Sequence, residues 1–125
     1  MAKTAQPIRR RASGSTVKHP PMQAEQLGAV ADLFAVLAEP SRLTILQLLQ
    51  AGPLGAGEIV ERSGLKQANV SKQLGILQTA GLIDRRAEGN RAIFSIKLPL
   101  IFDLCELVCH GMAEQAAERA AALRR

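Results

Sequence analysis

Aromatic side chains are scarce in this chain, which has three Phe and neither Trp nor Tyr. An aliphatic core of Leu, Ile, Val and Ala is therefore expected. No apolar run approaches the ~18 residues of a membrane span, and no signal-peptide core follows the basic start. A cytoplasmic, nucleoid-associated protein with no membrane partner is expected. Only two cysteines occur, and in a cytosolic chain they are read as thiols rather than as a permanent disulfide. Histidine is equally rare. His19 lies in the basic start and His110 stands without an obvious nucleophile. With no Gly-rich phosphate loop and no metal-ligand spacing, an enzyme is not expected.

Acidic residues are missing from one stretch altogether. Residues 1–22 carry Lys3, Arg9, Arg10, Arg11 and Lys18 and no Asp or Glu. Without apolar periodicity, this stretch is read as a disordered basic tail, either a solubilising leader or an arm attracted to phosphate. The remaining charge is uneven. Residues 23–65 sum to −3, residues 66–97 to +4 and residues 98–125 to −1. A basic stripe on an otherwise balanced domain of residues 23–125 points to a polyanion partner. The length of 125 residues suits a single domain.

Along that domain the periodicity is mostly helical. Leu27, Val30, Ala31, Phe34 and Leu37 share one face of a first helix ending near Leu37. Pro40 suits the first turn of a second helix, "PSRLTILQLLQAG". Its Leu43, Ile45, Leu46, Leu48 and Leu49 make it nearly apolar all round and mark it as central. A short helix with Ile59 and Val60 ends at Ser63-Gly64, where glycine fits a left-handed turn. The stretch "LKQANVSKQLGILQTAGLI" follows, its Val70, Leu74 and Leu77 at i, i+4 and i+7. Two short helices joined by a glycine turn form a helix-turn-helix. The pattern then changes period: strands near 82–86 and 92–96 flank the turn "AEGN". Pro99 opens a last helix running to about Leu123, with a stripe of Phe102, Cys105, Val108, Cys109, Met112 and Ala116. The expected fold is mainly α, a winged helix-turn-helix of about five helices with a two-stranded hairpin wing. The first and last helices are expected to pack on a twin in a two-fold dimer.

The helix at 66–79 spends its outer face on amides and cations. Gln and Asn pair bidentately with adenine, Lys reaches guanine, and Ser bonds to base or phosphate. Lys66, Gln67, Asn69, Ser71, Lys72 and Gln73 occupy the first two turns, the part that reaches base edges in this motif. Arg85, Arg86, Asn90 and Arg91 are expected to gather at the hairpin tip and contact the DNA backbone or minor groove. The alternative is a solvated helix face beside a charged hairpin.

The segments "LAEPSRLTILQLL" (37–49), "SGLKQANVSKQLGILQTAGLI" (63–83) and "DRRAEGNRAIFSI" (84–96) resemble the ArsR/SmtB family of bacterial winged-helix repressors. The likeness covers about residues 25–115. It implies a homodimer that binds an imperfect inverted repeat in double-stranded DNA and is released by an inducer. There are departures. The family often opens its recognition helix with Ser or Thr where this chain has Lys66, and many members have His where this chain has Gln73. The metal-sensing members' thiolate pair in the third helix falls on Gly55 and Gly57. Their ligands on the last helix fall on Leu98, Leu100, Gly111 and Glu114, so the usual zinc sites are not expected here.

What remains for sensing is "DLCELVCHG". Cys105 and Cys109 stand at i and i+4 on one helix face, with Cβ atoms ~5–6 Å apart. A thiophilic metal or metalloid ion, of the As(III) or Cd(II) kind, suits such a pair as inducer, and an oxidant is the second option. No cofactor is required. Inert packing inside the apolar stripe is the alternative for both cysteines. Asp103, Glu106 and Glu114 fall with His110 on one polar side and are read as a solvated face. Two further classes stay open at this point: a winged-helix adaptor that binds protein, and a DNA-binding regulator without inducer chemistry.

Overall fold

A computed structural model describes residues 20–124. The basic tail expected at residues 1–22 falls almost wholly outside the described residues. Five helices and three strands follow in the order α1 (Ala24–Leu37), α2 (Pro40–Leu49), β1 (Leu54–Gly55), α3 (Ala56–Ser63), α4 (Gln67–Thr79), β2 (Ile83–Glu88), β3 (Arg91–Ile96) and α5 (Leu100–Leu123). The chain divides after Ile101. Residues 22–101 form one compact unit, and α5 from Phe102 onward belongs to a second.

Local chemistry explains the helix starts. Pro40 occupies the first turn of α2, and the Glu39 carboxylate accepts from the backbone N–H groups of Ser41 and Arg42. Those are donors the helix itself leaves unpaired. At α3, Glu58 reaches back to accept from the Gly55 N–H at 2.8 Å, one half of a capping box. Gly64 ends α3 at φ 74°, a conformation that costs a residue with Cβ about 1–2 kcal/mol. Gly81 ends α4 in a Schellman motif: its N–H donates to Gln78 O and the Leu82 N–H to Leu77 O, each at 3.0 Å.

The core is aliphatic, as expected, with Phe94 as its single buried aromatic. It is built from Ile45, Leu46 and Leu49 of α2, Ile59 of α3, Val70, Leu74 and Leu77 of α4, and Ile93 and Phe94 of β3, all buried. α2 is therefore central. It touches α1, α3, α4 and β3. One member of its expected core is not there: Leu43 is 45% exposed. The first helix is also turned from its expected setting. Leu37 is buried and Val30, Leu33 and Val36 are half-buried, but Leu27 and Phe34 are each 54% exposed. Within this unit only one side of α1 has α2 to pack against.

The wing has three strands rather than two, in the order β1-β3-β2. Leu54 and Gly55 pair antiparallel with Phe94 and Ile93, on the edge of β3 that the hairpin leaves open. Two residues are too short for an alternating pattern to show in sequence. The β2–β3 ladder runs from Ile83↔Ile96 to Glu88↔Arg91, closed by a Gly89-Asn90 turn. No helix among the described residues is long and apolar enough to cross a membrane.

Candidate nucleic-acid interface

Val70, Leu74 and Leu77 are buried and pin one side of α4 to the core. The opposite side is open: Gln67, Ala68, Ser71 and Lys72 are exposed, as is Lys66 at the N-cap. Lys66 supplies no side-chain hydrogen bond to the helix start. The first N–H groups of α4 are thus uncapped at the positive end of the helix dipole, an arrangement suited to a backbone phosphate.

Two of the six expected contact residues on α4 stand differently. Gln73 is only 5% exposed. Its Oε1 accepts from Arg42 Nη1 at 2.8 Å and its Nε2 donates to Asn69 Oδ1 at 2.9 Å. With both ends of the amide committed inside the protein, Gln73 is not part of the outward face. Asn69 is half-buried and donates from Nδ2 to Ser41 Oγ at 3.2 Å. The 3.6-residue period explains the correction: residue 73 lies between the buried positions 70, 74 and 77 rather than opposite them.

The wing cations are also distributed differently from expectation. Arg85 and Arg86 are not at the tip. They sit mid-strand, opposite Phe94 and Ile93, and as consecutive residues they address opposite faces of the ribbon. Asn90 is at the tip, with Arg91 beside it. Arg86 Nη2 lies 2.7 Å from Glu88 Oε2, and Arg91 Nη2 lies 3.2 Å from Glu58 Oε1. Both pairs are solvent-facing and of modest strength. Lys66, Lys72 and Arg85 form no ion pair among the described residues. The Glu58 carboxyl is held below its ordinary range, chiefly by the Gly55 N–H, against the cost of desolvation and with help from Arg91 and Arg62.

Arg42, Ser41 and Glu58 went unnoticed as site residues in the sequence. Arg42 did leave a signal, as the lone charge in "PSRLTILQLL".

On α5 both cysteines are free, Cys105 half-buried and Cys109 exposed. Burial pushes the Cys105 thiol up, and the neighbouring Cys109 adds to the shift. His110 Nε2 lies 3.3 Å from Glu114 Oε2, one turn on. Among the described residues no group of three or more His, Cys, Asp or Glu is placed to hold a metal ion.

Comparison with known proteins agrees with this geometry. Residues 37–86 match a family model described as a helix-turn-helix domain. An uncharacterized HTH-type transcriptional regulator of Mycobacterium tuberculosis, Rv0081, is 37% identical over 94 residues, 74% of this chain and 82% of that protein. Its crystal structure superposes with a TM-score of 0.68 at 34% identity, covering 80% of this chain and 99% of that one. The homodimeric winged helix-turn-helix domain of Mb0332 from Mycobacterium bovis, a possible ArsR-family transcriptional regulator, gives a TM-score of 0.68 at 29% identity, covering 83% and 95%. This chain belongs to the ArsR/SmtB family. A third relative is a probable mercury resistance operon repressor of Streptomyces lividans, 36% identical over 70% of each chain. As an ArsR/SmtB-family protein the chain is a DNA-binding transcriptional regulator and not an enzyme, with α3 and α4 as its helix-turn-helix and β2–β3 as its wing.

Proposed function

We propose that this regulator is a homodimeric repressor that docks α4 of each protomer in the major groove of an inverted-repeat operator. The observation that carries the reading is the division of α4. Val70, Leu74 and Leu77 anchor one side while Lys66, Gln67, Ser71 and Lys72 face outward beside an uncapped helix start. Asn69 stands half-buried at the edge of that face. Arg85, Arg86, Asn90 and Arg91 supply backbone or minor-groove contacts from the wing. Pairing of two copies is supported by the exposed Leu27 and Phe34 of α1, by the exposed Phe102, Val108 and Met112 of α5, and by the homodimeric M. bovis relative. Such apolar exposure is costly unless a partner covers it. A small dimer lying across a promoter represses by occlusion.

Release is assigned to the thiols Cys105 and Cys109. They stand one helical turn apart on α5, and a thiophilic ion bridging them would change the packing of an interface helix. The half-site spacing that two recognition helices must match would change with it. The mercury-operon relative supports a soft ion as inducer. Burial pushes the Cys105 thiol up, the direction that slows attack on an oxidant at that sulfur. One protomer offers two thiol ligands, so a third comes from the partner or from solvent.

The test is a gel shift of the purified protein on its own promoter region, titrated with arsenite, cadmium and peroxide. The expected result is a specific complex released by arsenite or cadmium and resistant when Cys105→Ser and Cys109→Ser are combined. Unchanged release of the double variant removes the thiols from the mechanism and favours inert packing. Absence of any specific complex favours the protein-binding adaptor.

A further inference from the structure

The polar contacts that DNA binding leaves unused converge on one closed ring. Arg42 Nε donates to the Val36 carbonyl in the last turn of α1, and Arg42 Nη1 donates to Gln73 Oε1. Gln73 donates to Asn69, one turn earlier on α4, and Asn69 donates to Ser41 Oγ. Ser41 is the chain neighbour of Arg42, and the backbone N–H groups of both donate to the Glu39 carboxylate. The ring thus holds α4 at two points one turn apart and fastens both to the start of α2, whose capping fixes the other side.

Apolar anchoring alone tolerates small rotations of a helix about its axis, because dispersion contacts are non-directional. Hydrogen bonds are not so tolerant: they weaken steeply as the donor angle falls. Two of them from successive turns, one donated by a guanidinium, set the rotation of α4 as well as its position. Within the ring each amide is used at both ends. Gln73 therefore has no bidentate face to offer adenine.

We propose that Arg42, Gln73, Asn69 and Ser41 are positioning residues that fix the angle of the recognition helix, and that base reading falls on Gln67 and Ser71 while Lys66 and Lys72 hold the phosphates. This rests on the reading of α4 as the helix that enters the groove. The two ideas predict different losses. A base contact is lost at one operator position, while its neighbours are read as before. A positioning contact, when lost, lets the whole helix turn and weakens discrimination across the half-site.

The experiment is fluorescence anisotropy with a duplex from the protein's own promoter, a set of single-base variants of it and a random duplex. Gln73→Leu, Arg42→Lys, their combination and Gln67→Ala are compared with the parent chain. Gln73→Leu and Arg42→Lys are each expected to weaken promoter binding about tenfold, the effect of one lost charge-assisted hydrogen bond. Random-duplex binding and its salt dependence should stay unchanged. The lost discrimination should be spread over several base pairs, and the combined variant should be no weaker than the weaker single one. Gln67→Ala should relax the preference at one position only. Arg42→Lys keeps the charge and much of the stem, so it carries the test if Gln73→Leu melts below the assay temperature. Promoter binding by Gln73→Leu and Arg42→Lys equal to the parent's overturns the ring while leaving α4 as the reading helix. So does a Gln73→Leu loss confined to one base pair, or losses that add in the combined variant. A parent chain that does not distinguish promoter from random duplex overturns the reading of α4 itself.

Discussion

The salt dependence of DNA binding is the sharpest quantity this interface predicts. Lys66, Lys72 and Arg85 are exposed and unpaired by any carboxylate among the described residues, so they are ready to displace counterions from phosphates. Six such cations in a dimer give log K against log salt a slope of about −5. Affinity then falls about a thousandfold between ~50 and ~200 mM salt. Arg86 and Arg91 enter with less weight, because each must leave a carboxylate, Glu88 at 2.7 Å and Glu58 at 3.2 Å. If both made the exchange completely, the slope would steepen to about −9. Lys72→Ala removes one contact per protomer and should flatten the slope by about 2, whereas Arg91→Ala should flatten it less. Ser71→Ala, which carries no charge, should weaken promoter binding at unchanged slope. Anisotropy titrations at four or five salt concentrations read all of these. A parent slope shallower than about −3, or a Lys72→Ala slope equal to the parent's, refutes the assignment of these cations to phosphates.

Further expectations concern the scaffold that presents the interface. Gly64→Ala should cost about 1–2 kcal/mol in urea unfolding, the price of a side chain in the left-handed region; an added Cβ there meets nothing within 4 Å, so no steric term is added. Gly75→Ala on α4 should do the opposite and stabilise by about 0.5–1 kcal/mol, because its backbone has no positive φ and its Cβ would also be unobstructed. Leu77→Ala should be far more damaging, about 2–5 kcal/mol, since Leu77 is fully buried where α4 meets the core. Glu58, held below its ordinary 4.5 by the Gly55 N–H first, contributes stability above that value and loses it as pH falls through the depressed one. Protection of the Gly55 amide, its exchange rate by NMR relative to the intrinsic rate at each pH, should fall as pH drops through the depressed Glu58 value, and Glu58→Gln should abolish that step in protection.

Much of the fold was legible in the sequence because its determinants are local. The Pro40 start, the Gly64 turn, the Gly89-Asn90 hairpin and the 3.6-residue spacing of Val70, Leu74 and Leu77 each act within a few residues. Their order alone identifies the winged helix-turn-helix. The outward Lys66, Gln67, Ser71 and Lys72 were legible for the same reason, lying opposite a strong apolar stripe. What the pattern could not carry was pairing between distant segments. Leu54 and Gly55 form a strand only because β3 offers an open edge some forty residues later. Gln73 has the composition of a groove-facing residue, yet Arg42 lies 31 residues back in sequence and captures it. Leu27 and Phe34 fit the buried stripe of α1 by period, but α2 packs against the other side of that helix and leaves them exposed.

Sequence by itself therefore determined the helices, the hairpin and their order, since propensity, capping and periodicity are properties of neighbours along the chain. Only the tertiary structure decided that Gln73 and Asn69 are taken from that polar set to hold α4 in place. A buried amide must find its partners wherever the packed chain brings them, and sequence spacing does not say where that is.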